Sequence, residues 1–293
     1  MKYRSLMAVT VLSAMLLSGC GKTDQTSQPD LSEPSVSAVG AVSTVEEPAA
    51  SQPVEVVPPE PVVTVTVNKT AEELIALSEQ GNWSHFEDAV FIGDSVTLKL
   101  KNFVTKQRQS VPEYFGTGQF LTSGSLGSGN ALWEVSGKSV HPAYQGEKML
   151  LEESIPLTGA KKIYMMLGIN DIAVYGLEGA VENYKLLMDR ILETVPDAQF
   201  YIQSATPIVE GAETGGLTNE NLERYNLLLK EMCEERKLRF VDVASVMKDE
   251  NGYLIRDYCS DPDGMGIHLM DDACKLWLGY LLEDAGLMQG SYN

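Results

Sequence analysis

Short apolar runs and longer apolar stripes alternate along the chain from about residue 85 onward. The runs are Ala89-Val90-Phe91-Ile92, Ile163-Tyr164-Met165-Met166-Leu167, Phe200-Tyr201-Ile202 and Phe240-Val241-Asp242-Val243, with a weaker fifth at Gln119-Phe120-Leu121-Thr122. Their length and their β-branched and aromatic content predict strands. Between them, Val181, Tyr184, Leu187, Met188, Ile191 and Leu192 recur at helical spacing, as do Leu222, Tyr225, Leu228, Leu229 and Met232. A last stripe, Ala273, Leu276, Trp277, Tyr280 and Leu281, predicts a helix that follows an Asp271 N-cap and stops before Gly286. Strands alternating with single-striped helices imply an α/β fold with a parallel sheet of about five strands, covered on both faces. In such sheets ligands bind beyond the carboxyl ends of the strands, so those ends are where chemistry is sought.

The first 68 residues follow a different pattern. Lys2 and Arg4 precede an apolar run from Met7 to Leu17, and Leu17-Ser18-Gly19-Cys20 follows. That run is too short to span a bilayer comfortably and reads as an export signal over residues 1–19. Its ending resembles the lipobox of bacterial lipoproteins, which implies that Cys20 carries a lipid and becomes the first mature residue. From Gly21 to about Asn68 the chain has no aromatic residue and holds seven of the 13 prolines. Such a segment cannot bury enough apolar surface to form a core, so residues 20–68 read as a lipidated cysteine and a semi-stiff solvated spacer. Val62 to Val67 could alternatively add an edge strand. Residues 69–293 are long enough for one substantial domain.

Charge narrows the partners. The 293 residues carry 22 Lys+Arg against 41 Asp+Glu, a formal charge of -19. Removal of residues 1–19 deletes Lys2 and Arg4 but no acid, so the mature chain is more acidic still. A chain of this sign cannot gather phosphate backbones by counterion release, which argues against nucleic acid. The export signal and the lipobox resemblance together imply a protein on the extracytoplasmic face of the cell membrane, tethered through Cys20. Gly21-Lys22-Thr23 and Gly137-Lys138-Ser139 resemble the end of a phosphate loop, but Leu16 and Leu132 occupy the positions where it needs glycine. No Cys-x-x-Cys or His-Glu-x-x-His occurs, so neither a metal nor another cofactor is expected. Outside a cell, a Cys259–Cys274 bridge is permitted, with Cys233 left over.

Polar clusters sit at two strand ends: Gly93-Asp94-Ser95 after the first run, and Gly168-Ile169-Asn170-Asp171 after the Ile163 run. His268 lies shortly before the final helix, preceded by Asp261 and Asp263. A serine opening a helix, an asparagine at another strand end and a late histidine preceded by acids are the parts that acyl transfer needs. Ser95 would attack, His268 would take its proton, and an acid would hold the imidazole tautomer. The Asn170 amide, the Ser95 N–H and the N–H of Gly124, with Gly127 next, would stabilise the oxyanion. His141, Trp133 and Tyr144 lie in an irregular stretch after the Gln119 run, where they could line the cleft or pack inside.

With these blocks in this order, the sequence resembles the SGNH hydrolases, or GDSL esterases and lipases, over most of residues 85–285. The matching pieces are Phe91-Ile92-Gly93-Asp94-Ser95, Gly124, Gly168-Ile169-Asn170-Asp171 and His268-Leu269. The resemblance implies a flavodoxin-like three-layer α/β/α sandwich and ester hydrolysis without metal or cofactor. One position departs from the pattern: the acid that the family places three residues before its histidine is Met265 here. Asp263 is the first choice to replace it, Gly264 and Gly266 allowing the chain to bend. Asp261 is the second, and a Ser–His pair helped by a backbone carbonyl the third. The reading is an anchored serine esterase acting on acyl esters, short-chain or O-acetyl, with an acylated glycan as one substrate. The alternatives are a ligand-binding lipoprotein on the same fold and an acyltransferase using the same residues.

Overall fold

The computed structural model describes residues 66–290, so the expected signal, Cys20 and almost all of the spacer lie outside the described residues. No helix of the described residues is long and apolar enough to cross a membrane. Helix α1 (Ala71–Gln80) opens on a reciprocal cap, in which Thr70 and Glu73 each accept the other's backbone N–H. Strand β1 (Ala89–Gly93), helix α2 (Ser95–Arg108) and strand β2 (Gln119–Thr122) follow. A long connection then carries a two-residue antiparallel pair, β3 (Ala143–Tyr144) with β4 (Glu147–Lys148), and helix α3 (Leu151–Thr158). The remainder alternates: β5 (Lys162–Met166), α4 (Ile172–Thr194), β6 (Gln199–Gln203), α5 (Asn219–Arg236), β7 (Arg239–Val241) and α6 (Asp271–Gly290).

Five strands form one sheet in the order β2-β1-β5-β6-β7, and each neighbouring pair is parallel. This is the doubly wound order whose topological switch lies between β1 and β5. Helix α4 packs between α3 and α5, while α6 packs on α1 and α2, which gives the three-layer α/β/α sandwich. Parallel register lines up Phe120, Phe91, Tyr164 and Tyr201 across four strands. Phe91 and Tyr164 stack at 4.6 Å between centroids, and Tyr164 and Tyr201 at 4.4 Å. Side chains alternate along a strand, so Val90, Ile92, Ile163, Met165 and Ile202 fill the opposite face and are buried there. Burial on both faces is why these strands read as unbroken apolar runs rather than alternating ones.

Two boundaries differ from expectation. The Phe240 run leaves strand geometry at Asp242 (φ -85°, ψ 66°) and turns into a short 3₁₀ helix over Val243–Val246. Helix α6 begins at Asp271 and passes through Gly286, because its buried stripe continues to Ala285 and outweighs the roughly 1 kcal/mol that a helical glycine costs.

Candidate active site

The site grows from the carboxyl ends of β1, β2 and β5. Gly93 closes β1, and a Cβ there would lie 2.0 Å from Thr97 Oγ1 and 2.8 Å from the Met166 carbonyl. Only glycine lets α2 start so close to β5. Asp94 caps α2 by accepting the Val96 N–H at 2.9 Å, which leaves half-buried Ser95 as the first helical residue. Its N–H belongs to the first turn, whose donors have no intrahelical acceptor.

Past β5, Gly168 adopts φ 139°, and a Cβ there would press to 2.2 Å from the Tyr225 ring. The turn presents Asn170 and Asp171 side by side. Asn170 Nδ2 donates to Asp94 Oδ2 and to the Leu126 carbonyl, each at 3.1 Å. Asp171 is buried and accepts the N–H groups of Ser128 at 2.8 Å and Gly129 at 2.9 Å. The β5 turn thereby fixes the loop after β2. Burial raises the pKa of both carboxyls, against the opposing pull of their backbone hydrogen bonds, and brings Asp94 to about 6. In the same loop Gly124 lies exposed and its N–H meets no acceptor among the described residues, whereas the Gly127 N–H is taken by Asn130 Oδ1 at 2.9 Å. Gly124 therefore keeps a free donor and Gly127 does not.

The third component is the segment before α6. Its two ends are tied by Ser260 N–H to the His268 carbonyl and Met270 N–H to the Tyr258 carbonyl, both at 2.7 Å. Between them the Asp261 carbonyl accepts the N–H groups of Gly264 at 2.8 Å and Gly266 at 3.1 Å. His268 Nδ1 donates to Asp261 Oδ2 at 2.7 Å, and Nε2 stands 3.1 Å from Ser95 Oγ. With Nδ1 as the donor, Nε2 is the acceptor that the Ser95 hydroxyl requires. Burial raises the Asp261 pKa, but hydrogen bonds from the His268 ring, the His268 N–H and the Cys259 thiol outweigh it and hold the carboxyl below its usual range. A hydroxyl, an imidazole and an ionised carboxylate thus lie in line at a strand end beside amide donors.

The sequence profile described as GDSL-like Lipase/Acylhydrolase family matches residues 91–275, more than half of the chain, and the match runs from the Gly93-Asp94-Ser95 turn past His268. The chain belongs to this family. It is a GDSL-like acylhydrolase. Comparison with curated proteins returns no match. Among solved structures, a GDSL-like lipase from Bacteroides thetaiotaomicron is 15% identical, with 75% of this chain and 98% of that chain covered at a TM-score of 0.47. A Streptococcus pneumonia protein whose description names platelet activating factor is 18% identical, covering 72% and 88%, with a TM-score of 0.49. The periplasmic domain of a Salmonella ser. Paratyphi A lipopolysaccharide acetyltransferase is 14% identical, covering 69% and 84%, with a TM-score of 0.47.

One expectation for this GDSL-like acylhydrolase is corrected. Asp263 does not meet His268: its side chain is 88% exposed and pairs with Arg256. The chain turns directly after Asp261, whose carbonyl gathers the following amides, so Asp263 is carried outward and Asp261 takes the histidine. Residues 262–265 form an outward loop placed after the acid, and the chain is buried again at Gly266.

Other sequence candidates fall elsewhere. His141 is buried and its Nε2 donates to the Ala131 carbonyl. Trp133 is exposed, but Leu132 beside it is bonded to Arg190 near the far end of α4, away from the strand ends. Tyr144 donates to the Leu157 carbonyl. His85, which is no site candidate, lies just before β1 at 3.0 Å from the Tyr164 hydroxyl, and burial, followed by the charge of Lys162, lowers its pKa to about 4. Cys233, Cys259 and Cys274 are free thiols, so no bridge clamps the histidine loop. Among the described residues no group of three or more His, Cys, Asp or Glu could hold a metal ion. Two contacts escaped sequence reasoning, the Asp171 clamp on Ser128 and Gly129 and the Cys259 thiol on Asp261. Only the adjacency of Asp171 to Asn170 and of Cys259 to Asp261 hinted at them.

Proposed function

We propose that the protein is a serine esterase that removes short acyl groups, acetyl foremost, from extracytoplasmic glycans or small esters, and that it is held at the membrane by a lipid on Cys20. The alignment of Ser95, His268 and Asp261 carries this reading. Ser95 Oγ attacks the ester carbonyl while His268 Nε2 takes its proton, and the ionised Asp261 stabilises the resulting imidazolium. The oxyanion accepts from the Ser95 and Gly124 N–H groups and from Asn170 Nδ2, which turns from Asp94 toward the developing charge. Collapse breaks the C–O bond, and the alcohol leaves with the proton from His268. Water then adds to the acyl-serine through the same base, which releases the acid and restores Ser95.

The His268 and Asp261 side chains remain 30% and 28% exposed. Reacting atoms so near the surface suit a bulky alcohol, such as a sugar chain, carrying a small acyl group. The same exposure admits water, which favours hydrolysis over transfer to a sugar hydroxyl. A nitrophenyl ester series from acetate to octanoate tests the acyl preference, alongside acetate release from an acetylated glycan. Highest kcat/KM on acetate and free acetate from the glycan are expected; a maximum at octanoate would contradict the short-acyl reading.

A further inference from the structure

We infer that Cys259 is a positioning residue for the catalytic acid, its thiol donating a hydrogen bond that fixes the rotation of the Asp261 carboxylate. The inference rests on the proposed role of Ser95, His268 and Asp261. Cys259 Sγ stands 3.2 Å from Asp261 Oδ1, and the His268 N–H reaches the same oxygen at 3.1 Å. Oδ2 is thereby left to Nδ1 of the imidazole, 2.7 Å away. A carboxylate turns easily about its terminal bond. Two donors converging on one oxygen stop that turn and keep the other oxygen in the plane of the ring.

The local chain explains why a cysteine can do this. Cys259 is extended (φ -101°, ψ 132°), so its side chain and that of the residue two positions on lie on one side of the chain. Its N–H is held by the Arg256 carbonyl at 3.1 Å, and it bridges Leu269 across the base of the histidine loop. The residue is only 5% exposed. Burial pushes the thiol to about 11, so it keeps its proton at neutral pH. Because the ionised carboxylate has no proton to give, the thiol is the donor.

Cys259→Ala and Cys259→Ser separate this role from packing, with Cys233→Ala, a buried thiol near the C-terminal end of α5, as control. Removing one such hydrogen bond should lower kcat about 3- to 10-fold in Cys259→Ala while KM changes less than about twofold. Cys259→Ser, which keeps a donor, and Cys233→Ala should stay within about twofold of wild type. In an Asp261→Asn background Cys259→Ala should cost nothing further, since the pair acts as a unit. An NMR readout that needs no turnover runs in parallel: the His268 Nδ1 proton should move upfield and exchange faster in Cys259→Ala but not in Cys259→Ser. An unchanged kcat and Nδ1 proton in Cys259→Ala would overturn the assignment. So would a serine variant as impaired as alanine, or an alanine loss that persists beside Asp261→Asn. A wild-type protein with the expected NMR pattern and no activity on any ester would sink the esterase reading and leave the Cys259 assignment standing.

Discussion

His268 holds Asp261 twice across a separation of seven residues, through its ring at 2.7 Å and through its backbone N–H at 3.1 Å. The second bond ties the carboxylate to the histidine's own backbone, so the residues between them can leave the site without disturbing the pair. Gly264 and Gly266 complete the arrangement by donating back to the Asp261 carbonyl.

Asp261→Asn should therefore lower kcat by up to about 10,000-fold, the loss seen when the aspartate that sets a histidine tautomer in a serine protease is neutralised. Asp263→Asn, whose side chain faces solvent and Arg256, should remain within about twofold. Steady-state kinetics on a nitrophenyl ester check both. Equal losses in the two variants would mean that the loop opens during turnover.

Asn170→Ala removes one oxyanion donor and leaves the nucleophile, so kcat should fall about 100- to 1,000-fold with a smaller change in KM. Asp171→Asn acts one step back, by replacing a buried acceptor that serves two backbone N–H groups. Its unfolding free energy should drop by about 1.5–3 kcal/mol, read from urea titrations. A stability equal to wild type would show that another group takes over those amides.

Much of this was legible in the sequence, and the limits are physical. Runs such as Ala89–Ile92 and Phe200–Ile202 announced their strands because both faces of the sheet are covered, and Gly93-Asp94-Ser95 and Asn170 fall at strand ends where doubly wound sheets carry chemistry. The choice between Asp261 and Asp263 turned on where a loop closes. That depends on carbonyl-to-amide bonds such as Gly264 N–H to Asp261, which leave no periodic trace. The same holds for the Asp171 clamp, a contact between residues more than forty positions apart, and for Cys259, whose spacing pointed as readily to a disulfide.

Asp94 gives stability a pH signature. Its folded pKa, about 6, lies above the value of an exposed aspartate, chiefly because it is buried. Above pH 6 the carboxyl is ionised in both states and the folded state bears the burial cost. Between about pH 6 and pH 4 the folded state alone takes up the proton, so wild type gains stability relative to Asp94→Asn as pH falls. The gap should change by on the order of 2–3 kcal/mol across that window. A constant gap in urea unfolding from about pH 7.5 to pH 4 would contradict the assignment.

The proposed anchor makes a separate prediction. Cys20→Ala should release the protein from the membrane fraction and leave kcat on a soluble ester unchanged, since the residue precedes the spacer. Retention in that fraction would require a second attachment.

If Ser95 is a nucleophile activated by His268 and Asp261, fluorophosphonate labelling followed by peptide mass analysis reads it out without any substrate. The label should appear on the peptide containing Ser95, vanish in Ser95→Ala, form much more slowly in Asp261→Asn and form at the wild-type rate in Asp263→Asn. Labelling of a different residue, or of Asp261→Asn at the wild-type rate, would contradict it.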